Sequence, residues 1–324
     1  MDILRRVAVA FALLLGCQLP SLAQSWPQKS IKMIVPFAAG GGTDAIARHV
    51  ARYLSERLGQ QIFIDNRGGA NGIVGLQALT QSEPDGYTIA TISDTPLVVN
   101  PSLYDKVPYD PVRDFIPLGL VVQFPQVLVV HPSVPVRSVS ELIELAKSKP
   151  SSLAYSSGGL GNSGQLSTEL FAMANGIKLV HVPYRGVGPA TQALLAGDAK
   201  LMFNNVTTAI EHIRSGAMRP LGVSPDRMAE LPDVPAIAET IPGFDVQPWV
   251  GLFAPANTPP EIVAKLRSEV IAVMRTPELV KLLEAQLMTP RHGDHEELSA
   301  LIQRDLEKWA KVIQTTGMRG AAPN

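Results

Sequence analysis

Short apolar runs alternate with amphipathic stretches along most of the chain, and this alternation predicts an α/β protein. Strands are predicted at 31–37, 61–66, 87–93, 116–123, 126–131, 153–156, 178–184, 199–203, 219–223 and 249–254. Helices are predicted at 45–58, 138–149, 164–175, 189–197, 205–215, 260–275, 278–285 and 296–315. Because strands and helices alternate, the pattern favours parallel sheets covered by helices.

Two segments are predicted to connect separate lobes, one around residues 123–125 and one around 245–248. The first lobe then contains residues 24–124 and 248–324, and the second contains 125–247. The helical tail after residue 260 has no strand of its own, so we expect it to pack on the first lobe. A chain that crosses twice forms a hinge beneath a cleft, which is a favoured place for a ligand.

The first 23 residues have the layout of an export signal. Arg5 and Arg6 precede an apolar run from Val7 to Cys17, and small residues stand at Ser21 and Ala23. The run is shorter than the roughly 20 residues that a membrane-spanning helix needs. We therefore predict a periplasmic protein cleaved after Ala23. Leu14-Leu15-Gly16-Cys17 leaves a lipoprotein anchored at Cys17 as the alternative.

Charge and cysteine content exclude several classes of protein. The chain has 28 basic and 29 acidic side chains among its 324 residues, so no nucleic-acid partner is expected. Cys17 is the single cysteine, and cleavage after Ala23 would leave no thiol for a disulfide. We expect a monomer.

The first candidate site is the glycine-rich loop between the first strand and the first helix, residues 36–44. Gly40, Gly41 and Gly42 let a ligand approach the backbone, and the helix that follows offers unpaired N–H groups and the positive end of its dipole. Asp44 is predicted as the N-cap. The Gly-Lys-Ser/Thr ending of a nucleotide loop is missing. A glycine turn without a ligand is the alternative.

A second glycine loop, residues 156–164, precedes another helix. Its Gly159-x-Gly161-x-x-Gly164 spacing matches a dinucleotide fingerprint, but no acid follows the next strand to hold a ribose. Gln165 stands where a serine-hydrolase elbow needs glycine. What remains is a set of small hydroxyls, an asparagine and free amides that suits a carboxylate. Two such loops facing across a cleft are expected of a receptor that closes on its ligand.

No catalytic or metal-binding set stands at useful spacing. His292 and His295 precede a predicted helix and fit a solvated turn better than a metal site. We therefore expect no enzyme activity, no metal and no cofactor. Two alternatives stay open: a secreted enzyme acting on an acyl or carbohydrate substrate, and an accessory protein that presents a solute to a membrane sensor kinase.

From about Trp26 to its end, the chain resembles the extracytoplasmic receptors of tripartite tricarboxylate transporters, the TctC-like Bug family. The motifs that carry the resemblance are Trp26-Pro27, Pro36-Phe37-x-x-Gly40-Gly41-x-x-Asp44, Asn66-Arg67-x-Gly69-Ala70-x-Gly72, Pro84-Asp85-Gly86-Tyr87, Asn100-Pro101-x-Leu103-Tyr104, Val182-Pro183-Tyr184-Arg185-Gly186, Leu231-Pro232-Asp233-Val234-Pro235 and Gly251-Leu252-Phe253-Ala254-Pro255. The resemblance implies a two-lobed periplasmic-binding fold of the second type, a small carboxylate ligand, and delivery to membrane permease subunits.

By position, the resemblance also implies a set of ligand-binding residues. They are Phe37, Ala39, Gly40 and Asp44 in the first loop, Ser157, Gly158, Asn162 and Ser163 in the second, Tyr184, Arg185 and Gly186 nearby, and Asp94, Thr95 and Asn204 at strand ends. Two of these depart from the family pattern. Asn204 replaces an acid that would suit a ligand ammonium, which disfavours an amino-acid ligand. Asp94 stands where a small hydroxyl or a histidine is expected, and it either faces the cleft or belongs to an exposed turn.

Overall fold

The computed structural model describes residues 26–320. The predicted export signal, its cleavage point after Ala23 and the alternative anchor Cys17 lie outside the described residues, as do residues 321–324. No helix between Trp26 and Gly320 combines the length and the apolar character needed to cross a membrane.

Two separate sheets form the centres of two lobes, as the sequence predicts. In the described chain the first sheet has the strand order β11-β4-β10-β3-β1-β2. These strands are β1 (Ile31–Val35), β2 (Ile62–Asn66), β3 (Thr88–Ser93), β4 (Phe115–Gln123), β10 (Trp249–Pro255) and β11 (Thr289–Pro290). The second sheet has the order β7-β6-β8-β5-β9. Its strands are β5 (Gln126–Val130), β6 (Ala154–Ser157), β7 (Val180–Pro183), β8 (Leu201–Asn205) and β9 (Arg219–Ser224).

Helices cover both sheets. Those of the first lobe's N-terminal part are α1 (Gly42–Leu58), α2 (Ile73–Thr80) and α3 (Asn100–Leu103). Those that follow β5 are α4 (Val139–Ser148), α5 (Ser163–Asn175), α6 (Val187–Ala196) and α7 (Val206–Arg214). The tail contains α8 (Pro260–Met274), α9 (Pro277–Ala285) and α10 (His295–Thr316). The predicted apolar face of α1 is buried, from Ile46 through Leu58.

Purely parallel sheets were the wrong expectation, because both sheets are mixed. β10 runs antiparallel to β3 and β4, and β5 runs antiparallel to β8 and β9. These strands adjoin the two crossings between lobes. A parallel neighbour in the same sheet needs a crossover connection, usually a helix. A strand that enters the sheet directly from the other lobe needs no such crossover, so it can pair antiparallel with its neighbours.

The two crossing segments lie side by side. The Phe124 N–H donates to the Pro248 carbonyl oxygen at 2.8 Å. The predicted boundaries at 124/125 and 247/248 therefore lie in two neighbouring backbone segments between the sheets. Away from the crossings, one of the contacts between the lobes is the hydrogen bond that Thr207 Oγ1 donates to the Gln286 carbonyl at 2.7 Å.

The helical tail differs from the prediction in two respects. It contains the short strand β11, which extends the first sheet by pairing with β4. Its last helix, α10, packs on β4 and also on α5 of the second lobe, so it contacts both lobes rather than the first alone. The buried Trp249 ring at the cleft is tied to this helix, since its Nε1 donates to Asp305 Oδ2 at 2.9 Å.

Two helical regions of the first lobe escaped the sequence prediction. The helix α2 is apolar on nearly all sides, so it has no polar face to produce a 3.6-residue period. The segment Thr95–Val99 forms a helical turn of the wider π type and continues into α3. Pro96 and Pro101 suggest a loop there, although proline is tolerated in the first turn of a helix.

Candidate functional site

The first loop leaves the beginning of α1 uncapped by any side chain. Its N-cap is Gly41, and the first intrahelical bond runs from Ala45 N–H to the Gly41 carbonyl at 3.0 Å. The N–H groups of Gly42 and Thr43 therefore have no acceptor within the helix. Both residues line the cleft between the lobes. This helix start presents donors and a positive dipole end to whatever occupies the cleft.

Asp44 holds this loop from behind, and its prediction as the N-cap is wrong. It lies within the first turn, where its carboxylate accepts from Gly40 N–H, Arg48 Nε and Asn66 Nδ2, each at 2.9 Å. The hydrogen bond from Arg48, with those from Gly40 and Asn66, lowers the pKa of Asp44 to about 2. Asp44 is thus a buried anion fully engaged in fixing the loop.

The second loop leads into α5 with a different arrangement. Asn162 is the N-cap, and its Oδ1 accepts from Gly164 N–H at 2.9 Å. Gln165 Oε1 accepts from Gly161 N–H at 2.8 Å. These bonds consume two donors but leave the N–H of Ser163, the first residue of α5, without an intrahelical partner. Gly158, Asn162 and Ser163 line the same cavity as the start of α1.

A serine–histidine pair lies behind the second loop. Ser157 Oγ is 2.6 Å from His181 Nε2, and His181 stacks on Tyr155 with ring centroids 4.8 Å apart. Ser157 is fully buried, so its hydroxyl is closed to a substrate. Burial lowers the pKa of His181 to about 4, which keeps the ring neutral near pH 7. The pair positions the loop, since Ser157 Oγ also accepts from Gly159 N–H at 3.2 Å.

Besides the two loops, the end of β3 forms part of the cavity lining. Asp94 caps the helical segment that begins at Thr95, and its Oδ1 accepts from Thr95 N–H at 2.7 Å and from Thr95 Oγ1 at 3.3 Å. The other carboxyl oxygen, Oδ2, takes part in none of the hydrogen bonds between described residues. Asp94 is only 7% exposed and faces the cavity.

These walls enclose a cavity of about 320 Å³ between the lobes. Its lining residues are Phe37, Gly42, Thr43, Asn71, Ser93, Asp94, Thr95, Phe124, Gly158, Leu160, Asn162, Ser163, Asn205, Pro248, Trp249 and Val250. Among them Asp94 alone is ionisable, and the other polar groups are hydroxyls, amides and backbone N–H groups. No described lysine or arginine lines the cavity, so an anion bound there would be held by neutral donors.

Burial, followed by the negative charge of Asp305, raises the pKa of Asp94 to about 7. Asp305 lies behind the cavity on α10, where Lys308 Nζ is 2.9 Å from its Oδ1. The ammonium of Lys308 and the hydrogen bonds from Thr95 lower the pKa of Asp94 in part. Asp94 therefore changes its charge near pH 7, in a cavity without another ionisable lining residue.

Some of the sequence-predicted residues line the cavity and the others lie outside it. Those that line the cavity together are Phe37, Asp94, Thr95, Gly158, Asn162 and Ser163. Ser157, Tyr184, Arg185 and Gly186 lie outside the lining. Two of these support the second loop through the backbone, because Tyr184 N–H donates to the Ser157 carbonyl and Gly186 N–H to the Gly158 carbonyl.

Ala39, Gly40, Asp44 and Asn204 also lie outside the cavity lining. The Gly40 N–H is already donated to Asp44, so it is not a free anion donor. Asn204 is buried in the second lobe, where its Nδ2 donates to Thr191 Oγ1 at 3.2 Å. The absence of an acid at position 204 therefore gives no information on a ligand ammonium group.

Sequence reasoning missed several lining residues. Phe124, Pro248 and Trp249 belong to or adjoin the predicted crossings, so their place beneath the cleft could have been inferred from the hinge. Asn205 directly follows the predicted strand end at Asn204. Asn71 gives no such signal, because its left-handed backbone (φ 53°) and its bond from Nδ2 to Asn100 Oδ1 at 2.9 Å depend on the tertiary structure.

A metal site finds no support in the described part of the chain, where no three His, Cys, Asp or Glu side chains come together as ligands.

Comparisons with known proteins agree on one family. The sequence profile described as the tripartite tricarboxylate transporter family receptor matches residues 46–318. The protein BugT of Bordetella pertussis is 36% identical over 324 aligned residues, which cover 98% of this chain and 99% of BugT.

Two of the similar solved structures contain an aliphatic carboxylate. The R. palustris protein Rpa4515 with adipate is 33% identical, with a TM-score of 0.79 over 92% of this chain and 100% of that one. MatC of Rhodopseudomonas palustris with bound malate is 30% identical, with a TM-score of 0.75 over 89% of this chain and 100% of MatC. These likenesses confirm the predicted two-lobed periplasmic-binding fold.

We predict that Asp44→Asn lowers the free energy of unfolding by about 2 kcal/mol at neutral pH, because the native pKa of Asp44 lies about two pH units below its ordinary value. A depressed carboxyl pKa stabilises the folded state above the unfolded pKa of about 4. That advantage disappears as the pH falls through about 2. Urea unfolding of both proteins across this range measures the difference.

Asp226→Asn, at an exposed position, is the matched control and should change stability little at any pH. Equal stability of wild type and Asp44→Asn at neutral pH would contradict the role given to Asp44.

Proposed function

The chain belongs to the receptor family of the tripartite tricarboxylate transporters, a family of periplasmic solute-binding proteins and not of enzymes, and we propose that it captures a small carboxylate in the cavity between its lobes. The carboxylate is held by the free N–H groups at the starts of α1 and α5, assisted by the hydroxyls and amides around them. The bound solute is then delivered to membrane subunits of the transporter.

One observation carries the proposal: two helix N-termini from opposite lobes open into one cavity that has no described basic residue. Helix N-termini bind anions through unpaired N–H groups and the positive dipole end. Neutral donors also cost less free energy to bury than an unpaired lysine or arginine would. The cavity therefore suits a small ligand with one carboxylate group placed between the two helix starts.

Contacts across the cleft support capture by closure of the two lobes. A Cβ atom added at Gly161 of the second loop would lie 2.5 Å from Leu103 Cδ2 of the first lobe. The backbone of the second loop can approach Leu103 this closely because residue 161 lacks a side chain. A ligand that contacts both lobes favours the closed arrangement through its differential affinity.

The relatives support the class of ligand. Adipate and malate, which stand in the structures of Rpa4515 and MatC, are both aliphatic carboxylates. A cavity of about 320 Å³ is in the range of small-molecule sites.

Ser163→Pro tests the α5 donor directly. Proline lacks the N–H group but is well tolerated at the first position of a helix. The residue before it, Asn162, already has the extended backbone (φ −64°, ψ 148°) that proline requires. We expect affinity for the best ligand of a carboxylate panel to fall roughly ten- to hundredfold, as expected for a lost hydrogen bond to a charged group. Calorimetry and thermal shift both measure it.

Ser163→Ala is the matched control, because it removes the hydroxyl and keeps the N–H group. In the wild type, ligand at 100 times its dissociation constant should stabilise the fold by about 2.7 kcal/mol, seen as a rise in Tm. Equal affinities of Ser163→Pro and wild type would remove α5 from the site. A wild type that responds to no carboxylate at millimolar concentration would contradict the whole proposal.

Delivery to the membrane subunits predicts a transport defect. Deleting the gene should abolish uptake of the radiolabelled ligand, and expression of the wild-type protein should restore it. A strain that keeps full uptake but loses its transcriptional response to the solute would instead support presentation to a sensor kinase.

For localisation, we propose that the signal is removed after Ala23 and that the mature protein begins at Gln24. Intact-mass measurement of the protein released from the periplasm should give an unmodified chain with this start. A lipid-modified protein that begins at Cys17 and fractionates with membranes would contradict this and support the lipoprotein alternative.

A further inference from the structure

The second end of the ligand meets a single charged group. Asp94 is the one ionisable residue among those that line the described cavity. Its side chain is largely buried, with 7% exposed, and it belongs to the cavity lining. A ligand that fills this space comes into contact with the carboxyl group or leaves it further desolvated.

Only half of this carboxyl group has a partner. Oδ1 accepts from the backbone N–H and the hydroxyl of Thr95, whereas Oδ2 accepts none of the hydrogen bonds between described residues. A carboxylate oxygen withdrawn from water needs a donor, since a buried charge without one is costly. The ligand is the group that can supply this donor when the lobes close.

The charged groups that face Asp94 come from α10, and they leave its charge incompletely balanced. Asp305 repels a charge on Asp94 and Lys308 attracts it. Asp305 is itself engaged by Arg304 Nε at 3.1 Å and by Lys308 Nζ at 2.9 Å. Across the cleft, His181 lies behind Ser157, and its pKa of about 4 keeps it neutral near pH 7.

A second carboxylate on the ligand would therefore bring a second negative charge into a cavity that already contains Asp94 and no described basic lining residue. A hydroxyl or an ammonium group would instead donate to Oδ2 and satisfy it. Charge-assisted hydrogen bonds of this kind are among the stronger ones in proteins, and rejection of the wrong charge gives specificity.

We propose that Asp94 is a specificity-determining residue. It makes this protein prefer a carboxylate that also carries a hydrogen-bond donor, either a hydroxyl or an ammonium group, over a dicarboxylate. The inference rests on the carboxylate-binding function proposed above and gives the chemistry of the ligand's other end. Adipate and malate, which are present in the structures of two relatives, each carry two carboxylates, and malate also carries a hydroxyl.

The test compares carboxylates of equal length that differ only in their second group. The four-carbon probes are butyrate, 4-hydroxybutyrate, 4-aminobutyrate and succinate, and the six-carbon probes are hexanoate, 6-hydroxyhexanoate, 6-aminohexanoate and adipate. The 2-hydroxy and 2-amino isomers complete the panel. Calorimetry at about pH 8.5, where Asp94 is ionised, should give a donor-bearing probe roughly tenfold or greater preference over the dicarboxylate of the same length.

Asp94→Asn should reverse this order. The asparagine Oδ1 can still accept from Thr95, while Nδ2 offers a donor to a second carboxylate, so dicarboxylate affinity should rise roughly tenfold. Ammonium probes should lose most of their affinity and hydroxyl probes less, which separates the two kinds of donor. Asp233→Asn, at an exposed position of the second lobe, is the matched control and should leave the order unchanged.

The pH dependence of the wild type provides a readout that needs no variant. As the pH rises from about 6.5 to about 8.5, where the probe carboxylates are already ionised, Asp94 loses its proton, so affinity for donor-bearing probes should rise and affinity for dicarboxylates should fall. If Asp94→Asn does not fold, Asp94→Ser and this profile carry the test.

A dicarboxylate preference in the wild type that Asp94→Asn leaves unchanged would overturn the inference while leaving the proposed function intact. Failure of the wild type to bind any probe would remove the proposed function, and the inference with it.

Discussion

An anion in the cavity between the lobes has only neutral donors to bind it, chiefly the backbone N–H groups of two helix starts, because no described lysine or arginine lines this cavity. The starts of α1 and α5 leave Gly42, Thr43 and Ser163 without intrahelical acceptors. No described basic side chain shares the cavity with them. Donors fixed in a helix turn cannot follow a moving ligand as a lysine does, so the loops that carry them must be rigid.

The supporting contacts supply this rigidity from buried polar groups. Asp44 binds Gly40, Arg48 and Asn66 behind the first loop. Ser157 and His181 perform the same task behind the second, where a nucleophile and a base lie close together without access to a substrate. A serine beside a histidine is therefore insufficient evidence for catalysis, because the surrounding burial decides what the pair can do.

Local sequence patterns predicted most strands and both glycine loops, because each depends on short-range periodicity or on turn residues. They failed where tertiary pairing decides. The directions of β5 and β10 follow from the route of the chain between lobes, and β11 exists only because β4 has a free edge. In the site, the helix starts were predictable, but the roles of individual residues were not. Asp44 and Gly40 bind each other, and Asn204 points to Thr191, whereas Asp94 reaches the cavity.

The most direct measurement is a crystal structure of the protein with the solute that co-purifies from its own periplasm. The account predicts a carboxylate whose oxygens lie about 2.7–3.2 Å from the backbone nitrogens at the start of α1 and of α5. A solute held mainly by lysine or arginine side chains, or a carboxylate turned away from both helix starts, would contradict it.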